Sequence, residues 1–158
     1  MFDTNFNIIH GDRISGRTQF LFNISSDFRE ADVKLFFLGC AGNIDSKSKL
    51  LECFQDYRII NTFDEINNYK IIEVIKELIE KKKYNFLIID DIDYLSKSCI
   101  ELLSTIDVKK IVTSLSDNCK KLPKESNLYN IDNVCDLSKI DEVVKKIVRD
   151  KKINIILK

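Results

Sequence analysis

Apolar positions recur at two different spacings along the chain, and these spacings divide it into short and long segments. The short segments are apolar runs that predict six strands, at residues 6–10, 33–39, 58–61, 85–90, 109–114 and 153–157. Longer amphipathic stretches lie between several of them and predict helices. Such alternation is typical of an α/β fold, in which a mostly parallel central sheet is flanked by helices.

Two amphipathic stretches are regular enough to predict helices with defined starts. Residues 64–83 form the clearest one, with Asp64 as the N-cap and a periodic apolar stripe of Ile66, Tyr69, Ile72, Ile75 and Leu78 or Ile79. A second stripe near the carboxyl terminus has Ser138 as its predicted cap and consists of Ile140, Val143, Val144 and Ile147. Residues 115–131 contain the only proline and predict a loop.

Composition narrows the classes of protein that the chain can represent. Its 158 residues, 44% of them hydrophobic, suit one single-core domain over residues 1–158. The 25 Lys and Arg residues balance 25 Asp and Glu residues, so no overall positive charge favours nonspecific binding of nucleic acid. No stretch has the pattern of a signal peptide or a membrane span, which predicts an intracellular protein without a membrane partner.

The cysteines point to the same kind of compartment. They form no C-x-x-C pair and are odd in number, which argues against a disulfide framework and against a compact zinc site. We therefore predict buried free thiols in a reducing compartment at all five positions: Cys40, Cys53, Cys99, Cys119 and Cys135.

The sequence GDRISGRT at residues 11–18 has the spacing of a phosphate-binding loop, G-x-x-x-x-G-K-[ST], with Arg17 at the position of the lysine. It follows the first predicted strand and leads into the helical pattern RTQFLFNISSDF. Glycines let the loop direct backbone N–H groups at a phosphate, and the start of the helix adds partial positive charge. The predicted nucleotide-binding residues are Gly11, Asp12, Arg13, Ile14, Ser15, Gly16, Arg17, Thr18 and Gln19.

The sequence FLIIDDIDYL at residues 86–95 supplies the second half of a nucleotide site, a Walker B pattern. Four apolar residues predict a buried strand that carries Asp90 to the edge of the sheet, where its carboxylate can hold Mg²⁺ through water. The hydroxyl of Thr18 is suited to the same ion. Thr18 and Asp90 are therefore the predicted magnesium ligands, and we interpret Asp91 and Asp93 as helix caps.

Other polar residues near these motifs have simpler interpretations. His10 is interpreted as the end of the first strand, although it adjoins Gly11. A group of lysines is interpreted as solvated, because no aromatic residue alternates with them to stack on nucleic-acid bases; its members are Lys120, Lys121 and Lys124.

The segment GDRISGRTQF resembles the phosphate-binding loop of the RecA-type recombinases, particularly the eukaryotic strand-exchange recombinases and their paralogues. In that family an acidic residue follows the first glycine and Gln follows the Thr, as Asp12 and Gln19 do here. The resemblance covers about residues 6–115. It implies a RecA-like ATPase core with ATP and Mg²⁺ as ligands, here with a degenerate Walker A motif because Arg17 replaces lysine.

The chain departs from the family pattern at positions that matter for hydrolysis. The family's catalytic glutamate corresponds to Ala41, and the glutamine that senses the γ-phosphate corresponds to Leu115 in the sequence Thr113-Ser114-Leu115. Residues 90–113 are also too few for the family's first DNA-binding loop, and we expect no N-terminal helical domain. A missing general base typically costs ~10²–10⁴ in rate. We therefore expect weak or absent hydrolysis.

These features resemble the small accessory paralogues of the recombinase. The resemblance implies a nuclear subunit in homologous recombination and DNA repair. Its implied partners are another recombinase paralogue or a SWIM-domain protein, the recombinase filament, and single-stranded DNA reached through the complex. Two alternatives remain: an active P-loop ATPase or small nucleoside or nucleotide kinase, for which Asp91 is the only candidate catalytic carboxylate, and a scaffold whose loop binds nothing.

Overall fold

The computed structural model describes residues 5–12, 16–40, 51–52, 54–60 and 64–157. Within these ranges the strands are β1 (Phe6–Gly11), β2 (Leu35–Gly39), β3 (Asp56–Ile59), β4 (Phe86–Asp90), β5 (Lys109–Leu115) and β6 (Asn127–Asn130). The helices are α1 (Arg17–Glu30), α2 (Glu65–Lys81), α3 (Lys97–Ser104) and α4 (Val134–Leu157), with 3-10 turns at Ile92–Tyr94 and Ser116–Lys121. Among the described helices, none combines the length and the apolar character that a membrane crossing needs.

The described strands form one six-stranded sheet in the order β3-β2-β4-β5-β1-β6. Every pairing is parallel, so all carboxyl ends lie at the same edge. Strand β5 lies between β1 and β4 and pairs with both. The end of β1, which leads into the glycine loop, is thereby brought near the end of β4, which carries Asp90. The predicted α/β fold with a parallel sheet flanked by helices is confirmed.

Helices cover both faces of the sheet, which explains why the central strands are apolar without alternation. One cluster joins α1 and α4 to the first face and includes Leu21, Phe28, Ile88, Ile111 and Ile140. The other joins α2 and α3 to the second face and includes Ile72, Ile75, Ile89, Leu103 and Val112. The first cluster fixes α1 against the sheet, and α1 begins where the glycine loop ends.

Helix α2 has the predicted N-cap, but the set of residues that it buries differs from the predicted stripe. The Asp64 carboxylate accepts from the backbone N–H groups of Ile66 at 3.0 Å and Asn67 at 3.4 Å, which confirms the cap. The first two members of the predicted stripe are exposed, however, because Ile66 and Tyr69 lie on a different side of the helix from the buried Asn68. The buried face runs instead through Asn68, Ile72, Ile75 and Ile79.

The strand predicted at 153–157 is wrong, because these residues belong to the end of α4. A short apolar run does not by itself distinguish a strand from a buried helix segment, and no glycine or proline interrupts residues 134–157. The predicted cap is also wrong. Helix α4 begins four residues before Ser138, since the Asn133 side chain accepts from the N–H groups of Cys135 and Asp136 at 2.9 and 3.2 Å.

Residues 115–131 are more ordered than the predicted loop. They contain the 3-10 turn Ser116–Lys121 and the strand β6, which pairs with β1 and buries Tyr129. One buried side chain in four residues is too weak a pattern to reveal an edge strand.

The strand predicted at 58–61 begins two residues earlier, at Asp56, and Asn61 lies outside the described residues.

The thiols differ in their exposure to solvent. Cys40 and Cys99 are buried as predicted, and Cys119 is half-buried. Cys135 is exposed, because it lies in the first turn of α4 on the side facing solvent, and the prediction of burial is wrong there. Cys53 lies outside the described residues.

Lys110 is an unusual member of β5 because its side chain is completely buried near the amino-terminal edge of the sheet. Its Nζ donates to the carbonyl oxygens of Ile106 at 2.7 Å and Val108 at 2.8 Å, and to Asn5 Oδ1. Burial lowers the pKa of Lys110 from 10.5 to about 8, an effect that outweighs the opposing charge of Asp107.

The buried lysine predicts a dependence of stability on pH. The pKa of Lys110 in the folded chain lies below its unfolded value, so the unfolded chain binds more protons between the two values. The free energy of unfolding should therefore rise as pH increases from about 8 to about 10.5. The variant Lys110→Met should lack this rise. Melting temperatures of both proteins across this range test the prediction, and parallel curves would contradict it.

Candidate functional site

The glycine loop joins the end of β1 to the start of α1. Gly16 occupies the N-cap position of α1 with φ 78° and ψ 25°, and its carbonyl accepts from the N–H of Phe20 at 3.0 Å. Among the described residues, nothing lies within 4 Å of the position that a Cβ at Gly16 would take, so the left-handed backbone favours glycine here. Residues 13–15 of the predicted site, Arg13, Ile14 and Ser15, lie outside the described residues.

The remaining loop residues flank the first turn of α1. Gly11 is the buried last residue of β1, whereas Asp12 and Gln19 are exposed. Gln19 donates to Asn23 Oδ1 at 3.0 Å along the surface of the helix. The start of α1 carries no acidic residue in its first turn, which leaves the partial positive charge of the helix terminus uncompensated by side chains of that turn.

The structure brings Thr18 and Asp90 together. Thr18 Oγ1 donates to the carboxylate of Asp90, at 3.0 Å from Oδ2 and 3.2 Å from Oδ1. The two side chains come from α1 and β4, and they meet across the end of β5 because of the strand order. The predicted magnesium ligands are therefore neighbours.

Asp90 is almost completely buried, with 1% of its surface exposed. Besides Thr18, the hydroxyl of Thr113 donates to Oδ1 at 2.6 Å, and the same Thr113 oxygen accepts from the N–H of Asp91 at 2.8 Å. Burial raises the pKa of Asp90 despite the hydrogen bonds from Thr113 and Thr18 and the charge of Arg17. Hydrogen bonds from Thr18 and Thr113 thus fix the orientation of the carboxylate, but the nearby positive charge of Arg17 does not offset the effect of burial on its pKa.

Arg17, at the position of the motif's lysine, lies beside two carboxylates that follow β4. Its side chain is only 8% exposed, with Nη2 3.6 Å from Asp91 Oδ1 and Nη1 3.9 Å from Asp93 Oδ2. Nη1 is buried and donates no hydrogen bond to an acceptor among the described residues. The guanidinium therefore contacts two carboxylates that the sequence interpretation had assigned to capping.

Asp91 and Asp93 do not cap helices through their side chains, so that interpretation is wrong. Asp91 precedes the 3-10 turn Ile92–Tyr94 with φ 56° and no side-chain cap, and Asp93 lies inside that turn. Ser96 caps α3 instead, accepting from the N–H of Cys99 at 3.3 Å. The reason is geometric: the chain turns sharply after β4, which directs both carboxylates toward the edge of the sheet.

The two carboxylates have different environments. Asp93 accepts from Ser114 Oγ at 2.8 Å, from the Leu115 N–H at 3.1 Å and from Asn118 Nδ2 at 2.9 Å. Asp91 has no hydrogen bond to its carboxylate from the described residues. Burial and the neighbouring charge of Asp90 raise the pKa of Asp91 to about 6, against the opposing effect of Arg17.

Thr113, Ser114 and Asp93 are site residues that sequence reasoning did not assign. The available signal was the pair of hydroxyl residues within the apolar strand sequence KKIVTSL, since both are completely buried. Buried hydroxyls require partners, and the carboxylates of Asp90 and Asp93 supply them. Leu115, at the position of the family's sensor glutamine, ends β5 and contributes only its backbone N–H to Asp93. Ala41 lies outside the described residues.

His10 lies near the end of β1, and the lysine group follows β5 along the chain. His10 belongs to β1, next to Gly11, and its Nδ1 is 2.9 Å from Ser116 Oγ. Burial lowers the pKa of His10, with Asp136 acting in the opposite direction. Lys120, Lys121 and Lys124 are exposed, which agrees with a solvated group.

The residues at this edge fit a magnesium ion accompanied by phosphate. Mg²⁺ usually keeps several waters and takes one or two protein ligands, which Thr18 and Asp90 can provide. The described residues contain no group of three or more His, Cys, Asp or Glu side chains arranged to hold a metal by themselves. Any ion here would therefore depend on a ligand that brings its own oxygens.

No protein-family model matches the sequence, and a comparison with curated proteins finds no match. Among solved structures, the chain is similar to the flagellar accessory protein FlaH from Methanocaldococcus jannaschii. That similarity has a TM-score of 0.49 and 14% sequence identity, over 93% of this chain and 67% of the FlaH chain. A likeness at this level does not bear on function.

Proposed function

We propose that the chain is a RecA-like P-loop subunit that binds a magnesium–nucleotide complex and hydrolyses it slowly or not at all. The contact between Thr18 and Asp90, at 3.0 Å across the end of β5, is the observation that supports this proposal most directly. In P-loop proteins a loop Ser or Thr and a strand-end Asp hold Mg²⁺ together. The left-handed Gly16 at the start of α1 suits a loop whose backbone approaches a phosphate.

Slow hydrolysis follows from the residues near the site. Leu115 has no side-chain amide or charge to interact with a terminal phosphate, and Ala41 stands where the family's general base would be. Among the described residues, Arg17 forms ion pairs with the carboxylates of Asp91 and Asp93. Loss of a base and loss of one charge-stabilising contact each typically reduce the rate by ~10²–10³ or more.

We further propose an accessory role in homologous recombination and DNA repair, as a nuclear recombinase paralogue within a hetero-oligomer. Its partner would be another paralogue or a SWIM-domain protein, and the complex would bind and remodel recombinase filaments on single-stranded DNA. The resemblance of the loop at Asp12 and Gln19 supports this role. Apolar side chains exposed near the edge strand β6, Leu128 at 53% and Val134 at 77%, are suited to contact with a partner.

Nucleotide binding and hydrolysis test the biochemical proposal. We expect the purified chain to bind ATP in the presence of Mg²⁺ and to release phosphate no faster than its Arg17→Ala variant. Isothermal titration calorimetry and a phosphate-release assay measure the two quantities. Turnover that Arg17→Ala abolishes would contradict the proposal, and absence of binding by both proteins would favour a scaffold.

An active ATPase is a second candidate, and Asp91 is the observation in its favour. Its carboxylate lies directly after Asp90 and has a pKa of about 6, which is suited to general-base catalysis near neutral pH. If the chain does hydrolyse ATP, loss of turnover in Asp91→Asn with binding retained would identify this candidate as correct.

Affinity purification from cells tests the cellular role separately. The chain, carrying an affinity tag, should recover a recombinase paralogue or a SWIM-domain protein. Recovery of neither would contradict the recombination role and leave the nucleotide proposal unaffected.

A further inference from the structure

The burial and contacts of Arg17 are unusual for an arginine at a phosphate-binding loop. Nine-tenths of its side chain is buried, yet its distances to Asp91 Oδ1 and Asp93 Oδ2, 3.6 and 3.9 Å, exceed those of hydrogen bonds. Nη1 has no hydrogen-bond partner among the residues that the structure describes. Charge attraction therefore holds the guanidinium, while part of its hydrogen-bonding capacity is unused.

A phosphate could accept the hydrogen bonds that the Arg17 guanidinium does not donate to these carboxylates. Guanidinium and phosphate form short, charge-assisted hydrogen bonds, often two in parallel, because their geometries match. Arg17 is the first residue of α1 and adjoins Thr18, which contacts Asp90. A phosphate bound at the start of α1 would lie near this residue, so the carboxylates and the phosphate would compete for the guanidinium.

We propose that Arg17 is an autoinhibitory latch, held by Asp91 and Asp93 in the nucleotide-free chain and released to the phosphate when nucleotide binds. This inference rests on the proposed nucleotide binding and adds its regulation. The affinity for nucleotide is reduced by the interactions that must be broken to free Arg17. Any change that removes a carboxylate from the latch increases the affinity.

The two carboxylates contribute differently to the latch. Asp93 is fixed by Ser114, the Leu115 N–H and Asn118, so it also holds the end of β5 in place. The Asp91 carboxylate has Arg17 as its ion-pair partner and no hydrogen bond from the described residues. The Asp91 carboxylate can therefore be removed without breaking the hydrogen bonds that hold the end of β5.

Asp91→Asn is the direct test, because asparagine tolerates the left-handed backbone at φ 56°. Asp91→Gly is a second variant that also suits this conformation and removes the carboxylate. Both should bind a fluorescent ATP analogue with Mg²⁺ at least about fivefold more tightly than the unaltered chain. Fivefold is the lower end of the change in affinity that coupled sites typically show. Circular dichroism verifies that each variant is folded.

Two controls separate the latch from a general effect of charge. Asp117→Asn removes an exposed carboxylate from the turn after β5 and should leave the affinity within about twofold, because exposed charges interact weakly. The gain from Asp91→Asn should shrink at least threefold when Arg17→Ala is present, because the latch acts through Arg17. A change in general charge would give the same gain in both backgrounds.

The outcomes distinguish this inference from the function on which it rests. If the unaltered chain binds the analogue and Asp91→Asn and Asp91→Gly bind with equal or lower affinity, the latch is overturned and the nucleotide site stands. An equal gain with and without Arg17 also overturns the latch alone. If neither the unaltered chain nor any variant binds, both the latch and the proposed function are overturned.

Discussion

Replacing Phe28 by alanine should lower the free energy of unfolding by about 3–5 kcal/mol, which is the usual cost of removing a fully buried phenylalanine. Phe28 is 0% exposed in the second half of α1, and its ring stacks on Phe86 of β4 with centroids 5.2 Å apart and planes within 9°. The substitution removes this ring contact and leaves a cavity between α1 and the sheet. Because α1 follows the glycine loop, its docking also positions Thr18.

Urea unfolding monitored by circular dichroism measures this loss. Phe28→Leu, which keeps most of the apolar volume, serves as the matched control and should be destabilised less than Phe28→Ala. A loss below about 1 kcal/mol for Phe28→Ala would contradict the close packing of α1 against β4, because surface substitutions change stability by about that much or less.

The Thr18→Ala variant should bind nucleotide in the presence of Mg²⁺ about 10–100-fold more weakly than the unaltered chain, the range found when a group that supports a metal site is removed. The hydroxyl is expected to serve the ion and, in the nucleotide-free chain, it donates to Asp90 at 3.0 Å. Without Mg²⁺ the two proteins should have similar affinity, since the hydroxyl acts through the ion. Titration of the fluorescent ATP analogue with Mg²⁺ or with EDTA measures both conditions.

Thr18→Ser retains the hydroxyl and should restore affinity to within a few-fold of the unaltered chain. If Thr18→Ala weakened binding equally with Mg²⁺ and with EDTA, the role assigned to Thr18 in holding the ion would be wrong. Stability provides an independent check, because the loss of one partly buried hydrogen bond should cost only about 1 kcal/mol.

The sequence supports prediction best where local chemistry decides the outcome. The cap at Asp64 depends on N–H groups two and three residues away, and the structure confirms it. The buried strand ending in Asp90 follows from four consecutive apolar residues, and β4 ends at Asp90 and begins at Phe86, one residue after the predicted start. The pairing of Thr18 with Asp90 could be predicted because the two motifs are individually recognisable, although 72 positions separate them.

Prediction from sequence fails where a side chain has several possible partners that lie far away along the chain. Arg17 could contact a phosphate or a carboxylate, and only the turn after β4, with Asp91 at φ 56°, places Asp91 and Asp93 within reach. Strand β6 was missed for a related reason. Its four residues gain their structure from pairing with β1, more than a hundred positions earlier, and not from their own pattern.

The position of β1 inside the sheet also determines when the glycine loop can form during synthesis. Phe6 pairs with Lys110 and Asn7 with Asn127, so β1 has no strand neighbour until β5 has left the ribosome. Contacts between residues so far apart in sequence form slowly, because a long loop must close before they stabilise the chain. Strand β1 therefore has no strand partner while β2, β3 and β4 are made. We therefore expect the glycine loop to be among the last parts of the fold to be completed, and a nascent chain interrupted before β5 to lack the proposed nucleotide site.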